Sequence, residues 1–157
     1  MSRTFSDTFK SAMFGQQTDE VVLVLLTLDH DDLASPIRVT SDGVDSISNG
    51  ETFLAYPFQI NLPEQGEDGP SVGKLTIDNV NQSIAQAVRS ISTPPDLTIQ
   101  IVLASDPDTV EVELTNYEFT DIVITAETVV GNISRKVFYN EPYPCYYFIP
   151  SQFPGMF

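Results

Sequence analysis

Asp29, His30, Asp31 and Asp32 stand side by side at the end of an apolar run, three carboxylates around the only imidazole of the chain. Hard cations take several oxygens from one loop, so the cluster is a candidate cation site. Its spacing is not that of an EF-hand loop, and the competing reading is a solvated turn after a buried strand. A second stretch, residues 68–75 (DGPSVGKL), imitates a phosphate-binding loop. It departs from that pattern twice. Asp68 replaces the first glycine and would repel a phosphate, and Leu75 stands where a magnesium-binding Ser or Thr belongs. The stretch also precedes a strand pattern rather than a helix. Cys145, the only cysteine, has no cation beside it in sequence to favour a thiolate, so it reads as a small apolar residue.

Other catalytic signatures are missing. There is no G-x-S-x-G elbow, no H-E-x-x-H and no C-x-x-C, and a single histidine cannot build a cluster. Twenty-two acids leave a glycosidase-type carboxylate pair open, yet nothing selects two of them. The residues therefore assign no catalytic, cofactor-binding or metal position, and the chain is expected not to be an enzyme.

Length and charge narrow the field further. A chain of 157 residues suits one domain, long enough to bury about 70% of its extended surface. No apolar run reaches the length of a bilayer span and the first residues lack a signal-peptide pattern, so synthesis in a cytoplasm without membrane insertion is expected. Seven Lys and Arg against twenty-two Asp and Glu give a formal net charge of −15. A field of that sign repels a phosphate backbone, which argues against sequence-reading DNA or RNA binding. Solubility explains the charge; a surface past which nucleic acid slides without sticking explains it too.

The elements that would position these residues are organised around residues 72–104. Leu75 and Ile77 alternate with Thr76 and Asp78, the period of a half-buried strand over 74–80. From Asn81 the period changes: Ile84, Val88 and Ile91 fall on one side of a helix, with Asn79 or Asn81 as its cap. Pro94 and Pro95 stop it, and residues 97–104 read as a second, more apolar strand. The unit is strand, short helix, strand, with the helix lying across a sheet.

Before this unit, Phe5, Phe9 and Met13 or Phe14 recur at helical spacing behind Ser2 or Thr4, predicting a short helix that ends near Gly15. Residues 19–29 (DEVVLVLLTLD) suit a central strand buried on both faces. Another strand is expected at 37–40, then an Asn49-Gly50 hairpin turn and a returning strand over 52–60. Residues 62–70 form a loop rich in Pro, Gly and acids. After the unit come a turn at 105–109, a strand at 110–114 with Glu111 and Glu113 on a wet face, and strands at 119–125 and 127–139. The whole is a mainly antiparallel β architecture with two helices, and no internal repeat is present.

Residues 139–157 (YNEPYPCYYFIPSQFPGMF) change character. Aromatics alternate with prolines and Glu141 is the only charged side chain. Proline at this density prevents a helix or an internal strand, while so many aromatics need cover from water. The chain thus divides into a β-rich domain, residues 1–138, and an extended arm, residues 139–157. The arm either wraps its own sheet or docks on a neighbouring subunit through Tyr146, Tyr147, Phe148, Phe153, Pro154 and Phe157.

Taken together, EVVLVLLTL (20–28), PIRVTSDGVDSISNGETFLAYPFQINLP (36–63), LTIDNVNQSI (75–84), STPPDLTIQIVLASDPDTVE (92–111) and PSQFPGMF (150–157) resemble the small minor tail proteins of long-tailed, siphovirus-type bacteriophages, catalogued as a tail-tip domain of unknown function. The likeness covers nearly the whole length. The family prefers leucine in the closing FPGLF, where Met156 is a substitution of similar volume. None of the matched motifs is catalytic.

That resemblance implies a mainly β (α+β) fold of tail-tube type, an antiparallel β-sandwich or barrel. It also implies a structural subunit of the virion tail tip, made in the host bacterial cytoplasm and repeated around the tail axis. Its partners would be copies of itself, the tail tube, the hub and the tape-measure protein, with genomic DNA passing without specific binding. Rotational symmetry lets one patch serve every junction, and Glu111 and Glu113 are candidates to line the channel. A ring of six is the preferred count and a trimeric hub the rival. A host-surface or carbohydrate-binding module, using exposed tyrosines and the 62–70 loop, is the alternative outside assembly.

Overall fold

The structure is a computed structural model that describes residues 5–15, 18–62, 72–78, 83–135 and 155. The fold is mainly β, as expected. Nine strands form one mixed sheet in the order β3-β4-β2-β1-β7-β8-β9-β6-β5. They are β1 (Val22–Asp29), β2 (Ile37–Thr40), β3 (Ser46–Ser48), β4 (Glu51–Ala55), β5 (Phe58–Asn61), β6 (Gly73–Asp78), β7 (Asp96–Leu103), β8 (Asp106–Ile124) and β9 (Thr128–Arg135). Two helices, α1 (Asp7–Phe14) and α2 (Ser83–Ser90), complete it.

β1 is the central strand its composition predicts. Successive side chains of a strand face opposite sides, and both Leu25 and Leu26 are fully buried at 0% exposure, so both faces of β1 are covered. On one face Leu26, Leu28, Ile99, Leu75, Ile77, Phe119 and Ile133 join a large cluster that continues along the sheet. Leu23, Leu25, Phe53 and Val102 form a smaller cluster on the other. Phe53 reaches it because the β3–β4 hairpin folds back. Although four strands separate β3 from β8 in the sheet, the Ser48 hydroxyl donates to the Pro107 carbonyl at 2.6 Å and the Asn49 amide to Asp108 Oδ1 at 2.6 Å. The sheet therefore curls until its β3 edge meets β8, which covers an edge otherwise open to pairing.

The strand, helix, strand unit is present as β6, α2 and β7. In sheet order β9 and β8 lie between the two strands, and α2 carries the chain past them on the side of the large cluster. Ile84 and Ala85 are buried there, with Val88 packed against the same cluster. The proposed caps Asn79 and Asn81 lie outside the described residues, as does the 62–70 loop beyond Leu62.

Several local expectations are corrected. The cap of α1 is Ser6, not Ser2 or Thr4: its hydroxyl accepts the Phe9 amide at 3.0 Å. The strand expected over 52–60 breaks at Tyr56 and Pro57 into β4, next to the β3 edge of the sheet, and β5, the strand at the opposite edge. Pro57 has no amide to donate, and its carbonyl instead accepts the Asp78 amide at 3.0 Å. The strands expected at 110–114 and 119–125 are one 19-residue strand, β8, and the preceding turn is only Ala104 and Ser105. The β2–β4 pair is parallel, in a sheet otherwise antiparallel. The Asn49-Gly50 turn forms as predicted, with φ of 50° and 80°.

Candidate functional site

The acidic cluster lies at one end of the sheet. Asp29, the last residue of β1, is the Cα partner of Asp96, the first of β7, and Asp96 is the partner of Glu118 in β8. Register thus places three carboxylates in a row across three adjacent strands. With His30, Asp31, Thr93 and Pro94 they line a recess of about 420 Å³.

His30 closes the recess. Its side chain is 10% exposed. Nδ1 accepts the Asp32 backbone amide at 3.0 Å, which places the proton on Nε2, and Nε2 donates to Thr93 Oγ1 at 2.6 Å. Nε2 ties the β1–β2 loop to the turn before β7, while Nδ1 fastens that loop to itself at Asp32. The imidazole thus holds two loops together. Among the described residues no three His, Cys, Asp or Glu side chains are placed to hold a metal ion, so Asp29, Asp31 and Asp32 do not converge as a cation loop would require.

Glu111 and Glu113 occupy different environments. Between the pairs Val102–Val110 and Ile101–Val112 the register shifts, leaving Glu111 as an extra residue on β8. Such a bulge re-aims a side chain. Glu111 Oε2 accepts the Ser6 backbone amide at 2.9 Å, fastening the start of α1 to β8. Glu113 stays exposed and accepts Gln100 Nε2 at 3.0 Å. The wet face expected of this stretch is narrower than its alternation implied, since Val110, Glu111, Val112 and Leu114 are all half-buried.

Apolar surface is the other feature of the described residues. On the β3–β4 hairpin, Ser48 and Phe53 face inward, whereas Ile47 and Leu54 face out at 62% and 45% exposure, with Val44 at 65% just before β3. Ile47 is the partner of Thr52 and Leu54 lies two residues further along β4, so the two share one face. At the end of α1, Met13 is 57% and Phe14 88% exposed. Met13 or Phe14 shares helical spacing with Phe5 and Phe9, yet within α1 only Phe9 is buried. Val44 and Ile47 carry no expectation from the sequence, although the Ser-Ile-Ser alternation over 46–48 is a strand signal.

The arm residues Tyr146, Tyr147, Phe148, Phe153, Pro154 and Phe157 lie outside the described residues. The described chain before them ends at Arg135, whose guanidinium sits 5.4 Å from the centre of the Tyr117 ring. Comparison with known families matches residues 8–148 to the domain of unknown function DUF1833. No curated protein matches the chain.

Proposed function

The chain belongs to the DUF1833 domain family, and for it we propose a structural role: a non-enzymatic subunit of the tail tip of a long-tailed bacteriophage. It assembles around the tail axis into a ring that joins the tail tube to the hub and leaves a channel for DNA. The observation that carries this reading is the pair of unlike apolar surfaces, Met13 and Phe14 on α1 and Val44, Ile47 and Leu54 on the hairpin. Large apolar side chains left in water mark contact surfaces. Two different patches on one chain suit a heterologous contact, in which one patch of each copy meets the other patch of the next, and such contacts form a ring when the rotation between copies closes.

Three further observations support it. The motifs over 75–84, 92–111 and 150–157 resemble minor tail proteins. The net charge of −15 suits a channel wall that does not retain a phosphate backbone. The one histidine is engaged in holding loops together. Six copies continue the symmetry of a tube, and three would make a hub.

The mass of the purified full-length protein, measured in its native state with and without its neighbouring tail proteins, tests this reading. A closed species of six or three copies is expected. A monomer under both conditions would overturn it.

A further inference from the structure

Asn49 is the only asparagine of the chain that is followed by glycine. It stands exposed at the tip of the β3–β4 hairpin with φ of 50°, and Gly50 follows at 80°. The tip is also where the curled sheet closes on β8. The Asn49 backbone amide donates to Asp108 Oδ1 at 2.6 Å, and its side-chain Nδ2 donates to the Asp108 carbonyl at 3.2 Å and to Ser48 Oγ at 3.4 Å. The Ser48 hydroxyl donates to the Pro107 carbonyl at 2.6 Å. We propose that Asn49 is a site of spontaneous deamidation, that this clasp restrains the reaction, and that the product unfastens the hairpin from β8. The assignment goes beyond the ring reading and does not depend on it.

The chemistry needs only this chain and water. The Gly50 backbone nitrogen attacks Asn49 Cγ; the new N–Cγ bond forms as Cγ–Nδ2 breaks, and Nδ2 leaves as ammonia with the former Gly50 amide proton. Water then opens the cyclic imide. Its hydroxyl adds to Cγ, giving aspartate, or to the Asn49 main-chain carbonyl carbon, giving isoaspartate, and its proton returns to the Gly50 nitrogen. Glycine permits the attack because it has no Cβ to crowd its own nitrogen. Asparagine is thermolabile for this reason.

Geometry supplies the restraint. Attack requires the Asn49 side chain to bring Cγ onto the Gly50 nitrogen, whereas the clasp holds Nδ2 against Asp108 and Ser48 and the turn fixes both residues at positive φ. The reaction therefore waits for the tip to open. In the product an oxygen replaces Nδ2. It has no hydrogen for the Asp108 carbonyl, and it sets a second carboxylate beside that of Asp108. Isoaspartate also lengthens the main chain within a two-residue turn. The pairing of β4 with β2 spans only Val39–Leu54 and Thr40–Ala55, so the tip contacts matter to keeping the curl closed.

The full-length protein is incubated at neutral pH, folded and in urea, and the peptide holding position 49 is followed by mass spectrometry, where conversion of amide to acid registers as a gain in mass. Deamidation in the folded parent is expected to be at least about tenfold slower than in urea, the factor that one hydrogen bond to a charged acceptor contributes to an opening equilibrium. Asp108→Ala removes that bond and should raise the folded rate by about tenfold. Ser48→Ala, which removes the tie to Pro107, serves if Asp108→Ala does not fold, as circular dichroism decides. Freshly prepared Asn49→Asp, the product made directly, should show amide exchange across β3 and β4 about tenfold faster than the parent, with β1 unchanged. Deamidation as fast in the folded parent as in urea, parental rates in the folded variants, or parental exchange in Asn49→Asp would each overturn the proposal. None of these outcomes bears on whether a ring forms, so the two readings fail separately.

Discussion

Gly131 of β9 lies so close to Phe119 of β8 that a Cβ placed on it would stand 2.5 Å from Cε2 of the ring and 2.9 Å from the Thr120 carbonyl oxygen. The missing side chain lets the aromatic ring, itself fully buried, lie over the neighbouring backbone. Gly131→Ala is expected to destabilise the fold by about 1–3 kcal/mol, the range for overpacking a tight core. Phe119→Leu in the same chain should recover only part of that loss, because the contact with backbone remains. Urea unfolding of the single and double variants checks this, and an unchanged midpoint for Gly131→Ala would contradict the packing.

The same region shows what could be read from the sequence. β1 was legible because a continuous β-branched and leucine run has one comfortable place, between two covered faces. The Asn49-Gly50 turn was legible because few residue pairs accept its backbone angles. β8 was not, because residues inside it look like turn residues. Asn116 and Asp121 have φ of 64° and 51°, and each coincides with a register shift against β7 or β9. These are bulges that bend a continuing strand, and locally they resemble its end. Glu111 was misjudged for the same reason: alternation assigns it to the wet face, but a bulge turns it toward α1. The parallel β2–β4 pair and the exposed hairpin face depend on where the sheet curls, which local periodicity does not encode.

The contact between the Ser6 amide and Glu111 is expected to hold α1 in place. Glu111→Ala should cost about 1.5–3 kcal/mol, the scale of a hydrogen bond to a charged acceptor. The loss should be local: amide exchange at Phe9 and Lys10 rises, while the β1 and β7 amides keep their protection. Unchanged exchange in α1 would mean that the helix is held by Phe9 alone.

His30 is expected to act through its two hydrogen bonds. His30→Ala should lower stability by about 1–2 kcal/mol by leaving the Asp32 amide and Thr93 without their partner. Thr93→Val should lose about half as much, since the contact to Asp32 survives. Thermal unfolding of the two variants checks the order, and a His30→Ala protein as stable as the parent would remove the loop-tying role.

Glu113, exposed on β8, allows a test of the channel proposal without disturbing the fold. Glu113→Lys in an assembled particle is expected to slow DNA ejection, because a cation in the channel attracts phosphate. Glu111→Lys would also break the Ser6 contact and is less informative. Ejection at the parental rate for Glu113→Lys would place that side chain away from the channel.

The hairpin patch should matter to assembly and not to folding. Ile47→Asp with Leu54→Asp removes apolar surface that already faces water, so unfolding should move by only about 1–2 kcal/mol, the cost of two Asp residues in strands. Incorporation into tails should fall at least tenfold, a loss of about 1.4 kcal/mol or more in contact energy. Parental incorporation would exclude this face from the contact between copies.

Electron cryomicroscopy of the tail tips of intact particles decides whether this chain forms a ring. Repeated copies are expected around the tail axis, touching one another through α1 and the β3–β4 hairpin and enclosing an open channel. Absence of the chain from the particle, or isolated copies that do not touch, would overturn the ring.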